Sequence, residues 1–98
     1  MELGNILSIL REHEKELRER FRVKKISVFG SCSRGEQSNL SDVDILVEFY
    51  EPLGLEFVDF IYYLESILGA KVDVITKEAA KSKPILWESI KEDLVEVW

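Results

Sequence analysis

Asp42 and Asp44 stand two residues apart at the start of "DVDILVEFY", a stretch otherwise suited to a hydrophobic core. In an extended strand, residues i and i+2 share a face, which sets these two carboxylates about 6–7 Å apart along the chain. Ionised together they repel, and burying a charge is costly unless it is paired or bound to a metal. A divalent cation turns that repulsion into attraction. Mg²⁺ suits the position: it prefers hard oxygen ligands, keeps several waters, and takes one or two carboxylates plus substrate phosphates. Asp73, in the middle of "KVDVITK", is a third acid among apolar neighbours. If its strand lies beside the Asp42–Asp44 strand, three acids can serve two metal ions. Two such ions about 4 Å apart can clamp the attacking and leaving oxygens of a phosphoryl displacement.

Gly30-Ser31, eleven residues ahead of Asp42, offers the complementary half of such a site. Gly30 permits close backbone approach to a ligand. Ser31 supplies a hydroxyl and amides at what reads as the start of a short helix, a setting that favours phosphate. Arg34, one turn on, can meet a phosphate oxygen, or an aspartate within the fold. Cys32 lies in the same turn, where a helix start would lower its thiol pKa, but no His accompanies it.

The elements that must position these groups follow from patterning. Leu3, Ile6, Leu7, Leu10, Leu17 and Phe21 form one apolar stripe, which predicts a single helix over 3–21. His13 lies beside that stripe, and a structural role is expected for it. "RVKKISVFG" reads as a strand closed by Gly30, "SCSRGEQ" as a short helix, and "QSNLS" as a loop. The strand "DVDILVEFY" ends at Glu51-Pro52. A helix carrying Leu55, Val58, Ile61, Tyr62, Leu64 and Leu68 stops at Gly69. In the strand "KVDVITK", Val72, Val74 and Thr76 share one face, Asp73 and Ile75 the other. A helical turn in "KEAAKSK", a helix opened by Pro84, and a short last strand in "DLVEVW" complete the chain. The expected fold is α/β (α+β): a small mixed sheet of about four strands flanked by helices.

The 98 residues allow one domain, spanning 1–98. Apolar residues make up 46%, a globular composition, and the net charge of −6 argues against salt-driven nucleic-acid binding. An acidic chain can still take a nucleotide when a metal answers its phosphates. One cysteine cannot form an internal disulfide, which suits a reducing compartment. The N-terminus lacks an apolar signal region and no run is long enough to span a bilayer, so a cytoplasmic location is expected. Lys24 and Lys25 read as solvent-facing. Trp87, Trp98, Tyr62 and Tyr63 read as core or rim, some of them candidates for a patch that meets a partner.

Gly30-Ser31 followed by Asp42-Val43-Asp44, written out as "GSCSRGEQSNLSDVDILVEF", resembles the signature of the nucleotidyltransferase superfamily that includes DNA polymerase beta. It is most similar to the small stand-alone branch, the minimal nucleotidyltransferases. Four fixed residues at set spacing would arise by chance in roughly one chain in a thousand of this length. The order of helices and strands extends the resemblance over nearly the whole chain.

The resemblance implies that Asp42 and Asp44 ligate two Mg²⁺ ions. It implies that Asp73 holds one of them and helps deprotonate the acceptor hydroxyl, and that Gly30 and Ser31 hold the triphosphate of ATP. The implied reaction passes AMP to a hydroxyl and releases pyrophosphate. Minimal members are similar to antitoxins that silence HEPN-domain ribonuclease toxins by adding AMP to a tyrosine, so a HEPN toxin is the implied partner, in a possible homo- or hetero-oligomer. Two alternatives stand beside this: an antitoxin that neutralises its partner by contact alone, and a small-molecule nucleotidyltransferase.

Overall fold

The computed structural model describes residues 1–35 and 42–98. Glu36 and the expected loop over 37–41 lie outside the described residues. Four strands form one mixed sheet: β1 (Val23–Phe29), β2 (Val43–Phe49), β3 (Val72–Thr76) and β4 (Val95–Glu96), in the spatial order β3-β2-β1-β4. β1 is antiparallel to β2 and β4, and β2 is parallel to β3. The helices are α1 (Leu3–Glu12), α2 (Glu14–Phe21), α3 (Glu56–Leu68), α4 (Lys77–Lys81) and α5 (Pro84–Asp93).

The expected single helix over 3–21 is instead two, joined at His13 (φ −103°, ψ 15°). His13 is the cause the structure offers. Its Nδ1 lies 2.7 Å from the Ile9 carbonyl, the same acceptor its own backbone N–H uses at 3.3 Å. A side chain competing for an i−4 carbonyl bends a helix. The bend keeps both halves of the stripe on the sheet, with Ile6, Leu10, Leu17 and Phe21 all buried.

Alternation along the strands sends apolar residues to both sides. Val43, Ile45 and Val47 of β2 join Val28, Ile26, Phe60 and Leu64 in a core beneath α1, α2 and α3. On the opposite face Leu46 packs with Ala80 of α4 and Ile90 of α5, flanked by Phe29, Ile75 and Trp87. Helices therefore flank the sheet on both faces, as expected. The first core is aromatic at its centre: Phe60 lies edge-on to Phe21 at 5.4 Å and to Phe49 at 5.2 Å between ring centroids. The second cluster is smaller, with only Leu46, Ala80 and Ile90 fully buried in it.

Pro84 sits in the first turn of α5, where its missing N–H is harmless. Gly69 (φ 65°) ends α3 in the left-handed conformation. Thr76 caps α4, its hydroxyl accepting the Ala79 N–H at 3.2 Å. No helix among the described residues is long and apolar enough to cross a membrane.

Candidate active site

Sheet register gathers the acids. Asp44 is paired with Asp73 across the parallel β2–β3 ladder and with Phe29 across the antiparallel β1–β2 ladder. Asp42 precedes Asp44 by two residues, just outside β2, and is exposed. Val43 between them is buried on the core side, so both aspartates project from the other face. The sequence condition that the third strand lie beside the second is met.

Gly30, at the end of β1, touches this cluster. Its φ is +74°, and a Cβ there would overlap Asp44 Oδ2 and stand 3.1 Å from Asp44 Cγ. Two separate constraints thus select glycine: a left-handed backbone, and a carboxylate occupying the space of a side chain. The bare backbone lets Asp44 lie against the turn that carries Ser31.

The turn itself differs from expectation. Residues Gly30–Cys32 form one 3₁₀ turn rather than the start of an α-helix. It is closed by the Ser33 N–H donating to the Gly30 carbonyl at 3.1 Å, and by the Ser33 hydroxyl donating to the same oxygen at 2.8 Å. A helix macrodipole is therefore not what favours an anion here. Ser31, beside Gly30, is half-buried. Cys32 is buried, and burial pushes its thiol pKa up, with the Asp44 charge adding to the rise against the opposing N-terminal ammonium. This reverses the expected lowering, and a raised thiol pKa disfavours a nucleophilic role.

The electrostatics of the cluster centre on Asp44. Burial raises its carboxyl pKa, and the neighbouring charges of Asp73 and Asp42 raise it further; Arg34 opposes them. Arg34 also forms an ion pair with Asp93 at the end of α5. The guanidinium is thus held on the β1 side of the acids by a residue 59 positions away. Sequence reasoning left Arg34 open between phosphate and aspartate, and the structure pairs it with an aspartate outside the cluster.

These groups fit a hard divalent cation. The donors are carboxylate oxygens, and their mutual repulsion is only partly answered by Arg34. Among the described residues no group of three or more His, Cys, Asp or Glu, the trio Asp42, Asp44 and Asp73 included, is placed to hold a metal ion. Mg²⁺ does not require one, because it fills its octahedron with water and substrate phosphate. Two cavities of about 220 Å³ flank the Glu48–Lys77 pair toward the other end of the sheet, and neither is lined by an acid of the cluster.

Asp93, which pairs with Arg34, and Lys71, which precedes the Asp73 strand, carry no motif in the sequence. Asp93 had no local signal, since its link to Arg34 is purely tertiary. Lys71 had one: it stands two residues before Asp73 in "KVDVITK", so the period of a strand puts both on one face.

Comparison with known proteins agrees with this fold. The model of a nucleotidyltransferase domain matches residues 10–97. A protein of Thermococcus cleftensis named protein adenylyltransferase MntA is 54% identical over 81 residues, covering 82% of each chain. A solved structure provisionally described as a minimal nucleotidyltransferase superposes with a TM-score of 0.76 at 32% identity, covering 97% of this chain and 95% of that one. A further fold neighbour comes from a complex of tri-AMPylated Shewanella oneidensis HEPN toxin with its MNT antitoxin. It has a TM-score of 0.60 at 22% identity and covers 98% of this chain and 68% of that one.

Proposed function

The chain belongs to the nucleotidyltransferase domain family, and we propose that it is a Mg²⁺-dependent protein adenylyltransferase that moves AMP from ATP to a tyrosine hydroxyl of a HEPN-domain toxin. The observation that carries this reading is the placement of Asp44. It is lodged against Gly30, register-paired with Asp73, and raised in pKa by both companion acids. The name of the Thermococcus relative supports protein as the acceptor, and the AMPylated HEPN toxin of the Shewanella complex supports its class. The reaction requires ATP, which suits an ATP-containing compartment such as the cytoplasm.

In this reading Asp42 and Asp44 hold two Mg²⁺ ions and Asp73 shares one. When bound, the ions supply positive charge against the triphosphate and the carboxylates alike. The open 3₁₀ turn at Gly30 and Ser31 receives the phosphates, and Arg34 adds charge on the same side. Across the sheet, Asp73 faces the acceptor and accepts the phenolic proton. The tyrosine oxygen forms a bond to the α-phosphorus as the bond to the bridging oxygen breaks, and that electron pair leaves with pyrophosphate. The exposed sheet end suits an acceptor that brings its own surface.

Incubation with ATP, MgCl₂ and a HEPN-domain toxin, followed by intact mass, tests the reading. Gain of AMP on the toxin, lost with Asp42→Asn, is the expected result. Inhibition of the toxin with no mass change, equally strong with Asp42→Asn, would instead establish neutralisation by contact.

A further inference from the structure

We propose that Lys71 is an acceptor-side cation, placed to stabilise the developing negative charge on the attacking hydroxyl oxygen; the inference rests on the adenylyltransferase reading above. Its position comes from the ladder. The Val43 N–H donates to the Lys71 carbonyl at 2.9 Å, and Val43 pairs with Val72. Val72 and Val74 pack against the core beneath α1–α3, so alternation sends Lys71 to the face of Asp73. Lys71 is exposed and forms no ion pair among the described residues. The nearby acid on α3, Glu65, instead accepts the Val72 N–H at 3.2 Å.

The order of groups across the sheet gives Lys71 its side. β1 ends in the Gly30–Ser31 turn, β2 brings Asp42 and Asp44, and β3, at the edge, brings Asp73. Donor phosphates belong at the β1 end, where Arg34 already stands against the Asp44 charge. An acceptor must approach from the opposite side, because the attacking and leaving oxygens lie on opposite sides of the phosphorus in an in-line displacement. The β3 edge is that side, and Lys71 is the cation there. A phenol is a weak nucleophile until its proton leaves, and a positive charge within reach favours its ionised form. Asp73 alone would act the other way, as a negative charge beside a forming phenolate. Lys71 offsets it.

The test compares wild type, Lys71→Met and Lys71→Arg on the cognate HEPN toxin, with AMP-PNP binding measured separately by calorimetry. The expected result is a kcat lower by roughly tenfold in Lys71→Met, the equivalent of about one pK unit on the phenol. Lys71→Arg should restore most of it, and AMP-PNP affinity should match wild type in both variants. A toxin carrying 3,5-difluorotyrosine, whose phenol is already acidic, should show a smaller Lys71→Met penalty. A loss of AMP-PNP affinity would place Lys71 on the donor side and overturn the inference. So would an unchanged kcat, a change in melting temperature with no change in transfer, or an equal penalty with the fluorinated acceptor. If the wild-type chain transfers no AMP at all, the adenylyltransferase reading falls first.

Discussion

Asp44 and Glu48 lie on the same face of the same strand, four residues apart, with the buried Leu46 between them. Their surroundings are opposite. Glu48 receives Lys77 at 3.3 Å and Lys24 at 3.5 Å. Burial pushes its carboxyl up, but the hydrogen bonds and charges of Lys77 and then Lys24 outweigh that, and its pKa is lowered. The β1–β2 register skips a residue between Val23 and Lys25, and the irregularity lets Lys24 reach Glu48. Asp44 has two acids for neighbours and one arginine in opposition, and its pKa is raised. One carboxylate is completed by the protein. The other has no ion pair among the described residues. Uncompensated charge, not charge itself, separates a site from a structural ion pair.

The largest effect that sharpens this contrast is on catalysis. Asp44→Asn should reduce AMP transfer by on the order of 10³-fold, as expected for removing a preorganised electrostatic group. Glu48→Gln should leave transfer within about twofold, the range expected of a group outside the reacting centre. Both are read from intact-mass time courses. Comparable losses in the two variants would erase the distinction.

Gly30→Ala should follow. The left-handed backbone costs about 1–2 kcal/mol with a Cβ, and displacement of Asp44 should lower transfer as well. Thermal melts and transfer assays on the same preparation separate the two. A variant with lowered melting temperature and full activity would show that the contact with Asp44 has no functional weight.

Stability against pH gives a smaller effect with opposite signs at the two positions. Because the folded-state pKa of Asp44 is raised, its favourable contribution is complete below the ordinary carboxylate pKa and is lost as pH rises through the raised value. Without Mg²⁺, Asp44→Asn should therefore melt above wild type at pH 7, and the difference should close at acid pH. Glu48 is the reverse: its contribution is present above the ordinary pKa and is lost as pH falls through the lowered one. Glu48→Gln should melt slightly below wild type at pH 7, by no more than about 1 kcal/mol for so accessible a pair. Melting curves from pH 3 to pH 8 check both signs.

Much of this was legible in the residues. Strand alternation placed Asp42 and Asp44 on one face and Asp73 opposite Val72 and Val74, because a period of two needs no tertiary knowledge. Gly30 was legible as a point of close approach, though not that the approaching atom is a carboxylate oxygen of Asp44. Pro84 and Gly69 marked helix ends through their own backbone limits. The break at His13 was not legible, since apolar spacing continues through it and the cause is a side chain choosing one carbonyl. The 3₁₀ turn at Gly30–Cys32 was hidden for a related reason: a short helix and a single tight turn share the same starting residues. The partners of Arg34 and Glu48 depend on contacts between distant segments, and no local pattern encodes them.

The central claim is that Asp44 is an acid destabilised by its companions until a divalent cation joins them. Carboxyl-carbon NMR titration of Asp44, in the wild-type chain with and without Mg²⁺ and AMP-PNP, measures this directly. Without the cation Asp44 should titrate above the usual aspartate range, and with cation and nucleotide its midpoint should move down. Titration in the ordinary range, unmoved by Mg²⁺ and AMP-PNP, would contradict the account.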